Sequence, residues 1–154
     1  SFSMRTKIYY AGDKPSIQEV ATVIAQEFKL PAEQLQPAYM PEGLAIAFIG
    51  TEDHNSKPHK VAIEFANTLD TKRMEAAALF CCSPKKNDEC LKELRKVLEG
   101  RGIKVLPEVL VCHGKVGLFG GKTSRLQKIL IEILCGVIIF FGIEIIQIAH
   151  QRSV

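Results

Sequence analysis

The stretch from Leu44 to Leu69 reads LAIAFIGTEDHNSKPHKVAIEFANTL, and it decides the fold of this chain. It opens with an unbroken apolar run to Ile49, which is typical of a strand buried on both faces in a parallel sheet. Ten polar, glycine or proline positions follow, from Gly50 to His59, and then apolar residues recur at helical spacing. The pattern predicts a strand, a loop and an amphipathic helix. Because open α/β sheets bind ligands at the carboxyl ends of their strands, we expect the site to involve Thr51 to Pro58.

The chain before this stretch has a similar pattern. Lys7 to Tyr10 predicts a short strand, and Ser16 to Phe28 has apolar residues at helical spacing. Ser16 with Glu19 three residues later predicts a capping box at the start of this helix. Three prolines then interrupt the chain, and they leave room for only a short edge strand near Leu35 to Met40.

The chain after this stretch continues the alternation. Ala76 to Cys82 predicts another buried strand, and Asn87 or Asp88 is expected to cap a helix that ends at Gly100 and Gly102. Ile103 to Cys112 predicts a last strand, interrupted by Pro107. Alternating strands and helices imply a parallel sheet with helices on both faces. We predict a three-layer α/β fold with a doubly wound five-stranded sheet of order 2-1-3-4-5 and four or five helices.

Composition bounds the class of protein without naming a function. The chain has 154 residues, 47% of them apolar and 24% charged, which fits one globular domain. A net charge of +3, with basic residues dispersed among acidic ones, argues against a nucleic-acid partner. The five cysteines have no metal-ligand spacing, and no signal peptide precedes the first strand. A cytoplasmic location is the expectation.

The C-terminal segment is unusually apolar. We predict an α/β domain over residues 4–123 and a hydrophobic C-terminal helix over residues 124–154, as part of the same domain. Residues 133–143 contain no charge but are too few to span a bilayer, which needs about 20 apolar residues. The surplus apolar surface favours a homodimer through Ile129–Ile148, with membrane association as the second interpretation and an irregular or strand-like end as the third.

Three segments of the sequence resemble the flavodoxin-like family. They are KIYYAGDKPSIQEVATVIAQEF at residues 7–28, IGTEDHNSKPHKVAIEFANTL at residues 49–69, and the segment from ALFCCSPKK to CHGKVG at residues 78–117. The resemblance is one of layout and apolar pattern. It implies the flavodoxin-like fold, bound FMN, and electron transport with a redox partner protein, as an electron carrier or an oxidoreductase component.

The resemblance also implies three FMN-binding loops, and each departs from the family pattern. The loop after the first strand would hold the phosphate, but Asp13 adds a negative charge there and Pro15 removes a backbone donor. The second loop lacks the usual aromatic residue and the third has no glycine. The cofactor-binding residues implied are Gly12, Lys14, Ser16, Thr51, Asp53, His54, Asn55, Ser83, Pro84 and Lys85.

Two other functions stay open at this point. The first is a flavodoxin-fold interaction module that has lost the flavin and dimerises through its C-terminal helix. The second is a receiver-like phospho-acceptor domain, for which Asp13, Asp53, Ser83 and Lys115 stand at strand ends. We expect no catalytic residue and no metal site.

The cysteines favour a structural interpretation. Cys81 and Cys82 stand in a buried strand, where packing as small hydrophobic side chains is favoured over redox activity. Cys112 precedes His113, but neighbouring residues of a strand point to opposite faces, so a thiolate pair is not expected.

Overall fold

A computed structural model describes residues 5–112, in which helices alternate with the strands of one sheet. The strands are β1 (Thr6–Ala11), β2 (Ala32–Gln34), β3 (Leu44–His54), β4 (Lys57–Pro58), β5 (Met74–Cys82) and β6 (Lys104–Cys112). The helices are α1 (Pro15–Phe28), α2 (Lys60–Asn67) and α3 (Glu89–Gly100).

The sheet has the doubly wound order that the sequence predicts. Its strands lie in the order β2-β1-β3-β5-β6, and each neighbouring pair is parallel. The two-residue strand β4 was not predicted; it pairs antiparallel with the end of β3. The ladder between β5 and β6 is irregular around Pro107, since Ala77 pairs with Val105 and Leu79 pairs with Val109. The three-layer α/β prediction is therefore confirmed.

Helix α1 begins differently from the prediction. Its first residue is Pro15, and Lys14 is the N-cap without a side-chain hydrogen bond. The predicted capping box of Ser16 and Glu19 is therefore wrong. Proline is well suited to the first turn because its fixed φ is helical and its missing N–H would have no partner there. At α3 the side chain of Asn87 does act at the helix start, because its Oδ1 accepts a hydrogen bond from the Glu89 N–H.

Strand β2 lies earlier than the sequence predicts. It comprises Ala32–Gln34, and Leu35 to Met40 forms no strand. The Leu35 N–H still donates to the Tyr10 carbonyl oxygen at 2.8 Å, and pairing with β1 stops there. Pro37 has no N–H to continue the ladder, and Ala38 has a positive φ of 65°. No helix connects β2 to β3. The described residues contain three helices, and the predicted C-terminal helix lies outside them.

Strand β3 extends beyond its predicted end. It continues through Gly50 to His54, because Gly50 stays in the sheet and pairs with Tyr10 of β1 and Phe80 of β5. A Cβ built on Gly50 would lie 2.1 Å from the ring of Phe80, so only glycine lets that ring cover the strand.

The core has two halves, one on each face of the sheet. Helix α1 covers one face, where Ile8, Phe48 and Phe80 are buried. Helices α2 and α3 cover the other face. Among residues 5–112 no helix is long and apolar enough to cross a membrane. The predicted C-terminal helix of residues 124–154, its dimer segment Ile129–Ile148, and Lys115 lie outside the described residues.

Candidate functional site

The predicted ligand loop is a β-hairpin that prolongs the sheet. His54 pairs with Lys57, and Asp53 pairs with Pro58. Asn55 and Ser56 form the two-residue turn with φ of 54° and 66°. Two successive positive φ angles at this position are typical of a type I′ turn, in which asparagine is favoured. Asn55, which the sequence places in a ligand loop, is thus a turn residue.

Glu52 is buried where β3 meets the loop after β1. The residue is 4% exposed, and its Oε1 accepts a hydrogen bond from the Lys14 N–H at 2.5 Å. The carboxylate lies against Gly12, whose φ is +129°; a Cβ there would come within 2.1 Å of the Glu52 Cδ. Lys14 is the N-cap of α1, so a carboxylate at this point interacts favourably with the positive end of the helix dipole.

A histidine completes the environment of Glu52. The second carboxylate oxygen, Oε2, lies 2.7 Å from Nε2 of His54, whose side chain is 45% exposed. The His54 ring lies 5.2 Å from the His59 ring, centroid to centroid. Nδ1 of His59 accepts the Val61 N–H and so begins α2. Both oxygens of Glu52 therefore have partners inside the protein.

Asp53, the next residue, joins the hairpin to the loop after β5. Its Oδ2 accepts the Ser83 hydroxyl at 2.5 Å, and its Oδ1 accepts the Ser56 N–H at 2.7 Å. Ser83 Oγ in turn accepts the Lys85 N–H, and the Lys85 ammonium donates to Ser56 Oγ at 2.9 Å. The predicted residues Asp53, Ser83 and Lys85 are thus brought together, and they bond mainly to one another.

The other predicted site residues have separate roles. Thr51 is fully buried, and its hydroxyl oxygen accepts the His59 N–H at 2.8 Å, which fixes the start of α2. Ser16 is half-buried in the first turn of α1. Pro84 is exposed in the loop after β5.

A cleft of about 210 Å³ lies beside the loop after β1. This volume is below the range of about 300–1,000 Å³ that is usual for small-molecule sites. Asp13 is on its edge, where the carboxylate accepts a hydrogen bond from the Gln34 side chain. The cleft is lined by Gly12, Asp13, Gln34, Leu35, Gln36, Pro37, His59 and Val61.

The loop after β1 does not fit the phosphate of an FMN. A phosphate cradle consists of backbone N–H groups that point at the anion. Here the Lys14 N–H already donates to Glu52, Pro15 has no N–H, and Asp13 adds a second carboxylate. A phosphate dianion at this point would lie against a buried carboxylate, and like charges at such distances repel strongly.

The ring-binding loops give little support to a flavin either. Thr51 to Pro58 contains one ring that could stack, His54, and that ring is engaged by Glu52. The loop after β5 is held to the hairpin by the contact of Ser83 with Asp53. For the receiver-like interpretation, Asp53 is the expected acceptor, yet both of its oxygens are hydrogen-bonded. Residues 5–112 contain no group of three potential metal ligands.

Comparison with known proteins identifies the fold. No family model matches the sequence, and no curated protein matches it. Among solved structures, a flavodoxin from Streptococcus pneumoniae TIGR4 superposes with a TM-score of 0.61 at 14% identity, over 85% of this chain and 94% of that one. A short-chain flavodoxin associated with a PDU bacterial microcompartment gives 0.68 at 10% identity, over 90% and 99%.

A larger enzyme shares the same fold in part. Rubredoxin:oxygen oxidoreductase from Desulfovibrio gigas gives a TM-score of 0.63 at 10% identity, over 94% of this chain and 37% of that one. The chain therefore has a flavodoxin-like fold, as the sequence resemblance implied. Identities this low show the fold alone.

Sequence reasoning missed Glu52, which is the central residue of this edge. The predicted set included Thr51 and Asp53 on either side of it. The sequence did contain a signal for Glu52. If the strand continues past Gly50, it buries this carboxylate, and a buried carboxylate needs hydrogen-bond partners. The prediction that the strand ended at Gly50 hid this signal.

Proposed function

We propose that this chain is a flavodoxin-fold interaction module that holds no FMN at the carboxyl edge of its sheet. The observation that carries the proposal is the buried carboxylate of Glu52, which accepts a hydrogen bond from the Lys14 N–H at the start of α1. In this fold that position is the one from which a phosphate would be held. An internal carboxylate supplies the same negative charge without a ligand.

The proposed partner is a second copy of the chain. The support is the apolar segment Ile129–Ile148, which lies outside the described residues and is far more apolar than one helix needs to cover a sheet face. We also propose a reducing cytoplasmic location, since the cysteines of the described residues are free thiols.

Two measurements on the full-length chain test this proposal. Addition of the protein to FMN should leave the flavin fluorescence unchanged, and the purified protein should be colourless. Light scattering coupled to size-exclusion chromatography without detergent should give the mass of a dimer. Quenching of FMN with micromolar affinity would overturn the flavin-free assignment, and a monomer mass would overturn the dimer.

The second candidate is an FMN-binding electron-transfer or reductase module. It is favoured by the solved structures with this fold, several of which are named flavodoxins. For FMN to bind in the same way, the Glu52 side chain would have to leave Gly12 and Lys14. The candidate therefore predicts that FMN binding perturbs Glu52, whereas the first proposal predicts no binding.

A further inference from the structure

Three exposed lysines come together where the hairpin meets the loop after β5. Lys57 is in β4, and Lys85 and Lys86 are in the loop after β5. The Lys85 ammonium donates to the hydroxyl of Ser56, the neighbour of Lys57 in the chain, at 2.9 Å. This contact joins the loop to the hairpin at the protein surface. We call the surface formed by Lys57, Lys85 and Lys86 the lysine patch.

The acidic residues of the hairpin strand are turned inward, away from the lysine patch. Residues 50–60 read GTEDHNSKPHK, in which acids and bases alternate within one segment. Glu52 and Asp53 are only 4% and 9% exposed, and both carboxylates are hydrogen-bonded inside the protein. The fold therefore separates the charges, with the carboxylates inside and the ammonium groups in solvent. None of the three lysines forms an ion pair with an acidic side chain of residues 5–112.

The nearest other acidic side chains are engaged elsewhere. Asp88 is half-buried at the start of α3, where the positive end of the helix dipole favours a carboxylate. Glu89 forms an ion pair with Lys92 at 3.0 Å. Asp13 is in the loop after β1 and accepts a hydrogen bond from Gln34. The ammonium groups of the lysine patch are therefore available to a carboxylate from outside.

The backbone under the lysine patch is fixed by hydrogen bonds. Asp53 holds the hairpin turn at residues 55–56 through the Ser56 N–H, and it holds the loop after β5 through the Ser83 hydroxyl. Ser83 Oγ also accepts the Lys85 N–H at 3.2 Å. A surface that is ordered before a partner arrives loses less conformational entropy on binding.

We propose that the lysine patch is a docking surface for an acidic segment of another protein, with several Asp or Glu side chains close together in its sequence. The proposal is independent of the function proposed above, because it rests on different residues from the flavin and dimer assignments. Lysine carries a compact charge that pairs with single carboxylates, and such exposed pairs give weak, salt-dependent association.

The composition of the patch favours a protein over the two other kinds of anionic partner. Residues 54–59 and 83–88 contain no Phe, Tyr or Trp on which the bases of a nucleic acid could stack. The same segments contain no Leu, Ile, Val, Met or Phe to enter the acyl boundary of a bilayer. Carboxylates on a protein segment need neither feature.

The test is fluorescence anisotropy of a labelled decaglutamate peptide titrated with the full-length chain. We expect binding at about 20 mM salt and much weaker binding at about 200 mM, because salt screens exposed charges. Two-dimensional nuclear magnetic resonance of the wild-type chain should place the largest amide shifts at Lys57, Lys85 and Lys86. This mapping uses the unaltered protein, so it holds even if a variant does not fold.

A pair of charge-reversal variants separates the patch from net charge. The patch variant carries Lys57→Glu, Lys85→Glu and Lys86→Glu, and it should bind the peptide at least about tenfold more weakly. The control variant carries the same change at three exposed lysines elsewhere in the described residues, which likewise form no ion pair there: Lys72→Glu, Lys96→Glu and Lys104→Glu. The control should retain most of the wild-type affinity.

Three results would overturn the proposal. The first is the absence of peptide binding at low salt, and the second is an equal loss of affinity in the two variants, which would show a response to net charge alone. The third is tighter binding, at equal salt, to an oligothymidylate or to phosphatidylserine vesicles, which would assign the patch to a nucleic acid or a membrane surface. The FMN and dimer measurements are read separately, so a failure here leaves the proposed function standing.

Discussion

Glu52 and Asp53 are consecutive residues of β3, and each contacts a different loop at the carboxyl edge of the sheet. The Glu52 carboxylate turns to the loop after β1, where its partners are a backbone N–H and His54. The Asp53 carboxylate turns to the loop after β5, where its partners are the Ser83 hydroxyl and the Ser56 N–H. Adjacent residues of a strand point to opposite faces, so a single strand end serves both loops.

The two carboxylates differ in the groups that surround them. Asp53 makes a buried polar contact between the hairpin and the loop after β5. Glu52 fills a space that Gly12 leaves open, and its carboxylate accepts a hydrogen bond from the Lys14 N–H at the start of α1. Substitutions around Glu52 should therefore cost more stability than substitutions around Asp53, and the following predictions test that order.

Gly12→Ala should have the largest effect. The new Cβ would meet the Glu52 Cδ at 2.1 Å, and φ of +129° is strained for any residue with a side chain. We expect a loss of about 3 to 5 kcal/mol in the free energy of unfolding, measured by urea denaturation. Gly100→Ala is the matched control, because a Cβ there meets nothing within 4 Å. An equal loss in the two variants would show that the tight contact with Glu52 does not exist.

Glu52→Gln keeps the shape of the side chain and removes its charge. The Lys14 N–H and His54 would then share a neutral partner, and we expect a loss of about 2 to 3 kcal/mol by urea denaturation. Asp53→Asn is the matched isosteric change one residue later, and it should cost less. A larger loss for Asp53→Asn would show that Asp53 stabilises this edge of the sheet more than Glu52 does.

Ser83→Ala tests the Asp53 side alone. It removes the hydroxyl that donates to Asp53 Oδ2 and leaves the Ser56 N–H in place. We expect a loss of about 1 to 2 kcal/mol by urea denaturation. Combined with Asp53→Asn, the loss should be smaller than the sum of the two single losses, because both remove the same contact. Additive losses would mean that the two groups do not interact.

Tyr9→Phe should have the smallest effect, since it removes a neutral contact away from this edge. The Tyr9 and Tyr39 hydroxyls lie 3.0 Å apart, and the loss should be about 1 kcal/mol at neutral pH. Burial raises the pKa of Tyr9, so the folded protein resists its ionisation. Wild-type stability should therefore fall as pH rises above 10.0, the ordinary tyrosine value, and this contribution should be absent from the variant. Parallel alkaline curves for the two proteins would contradict a buried neutral Tyr9.

The sequence predicts the sheet well because its main signals are local. The apolar runs at Leu44 to Ile49 and Ala76 to Cys82 mark strands buried on both faces, and the helices between them have clear periodicity. Strand β2 was misplaced, because a three-residue edge strand buries little and prolines surround it.

The site was predictable in position and much less so in chemistry. The sequence indicates the correct edge of the sheet and brings Asp53, Ser83 and Lys85 into consideration. It does not show that Gly50 continues the strand, because Gly50 pairs with Tyr10 and Phe80, which are distant in sequence. Once the strand continues, Glu52 is buried and must reach the loop after β1. Contacts of that kind depend on the assembled fold and cannot be derived from spacing along the chain.

The most direct test of the central claim follows the Lys14 backbone amide by two-dimensional nuclear magnetic resonance of the full-length chain. Glu52→Gln should shift the Lys14 resonance, because the amide donates to this carboxylate, and added FMN should leave the resonance unchanged. Shifts of the Lys14 and Gly12 amides that saturate at one equivalent of FMN would contradict the account, since they would show that the phosphate displaces Glu52.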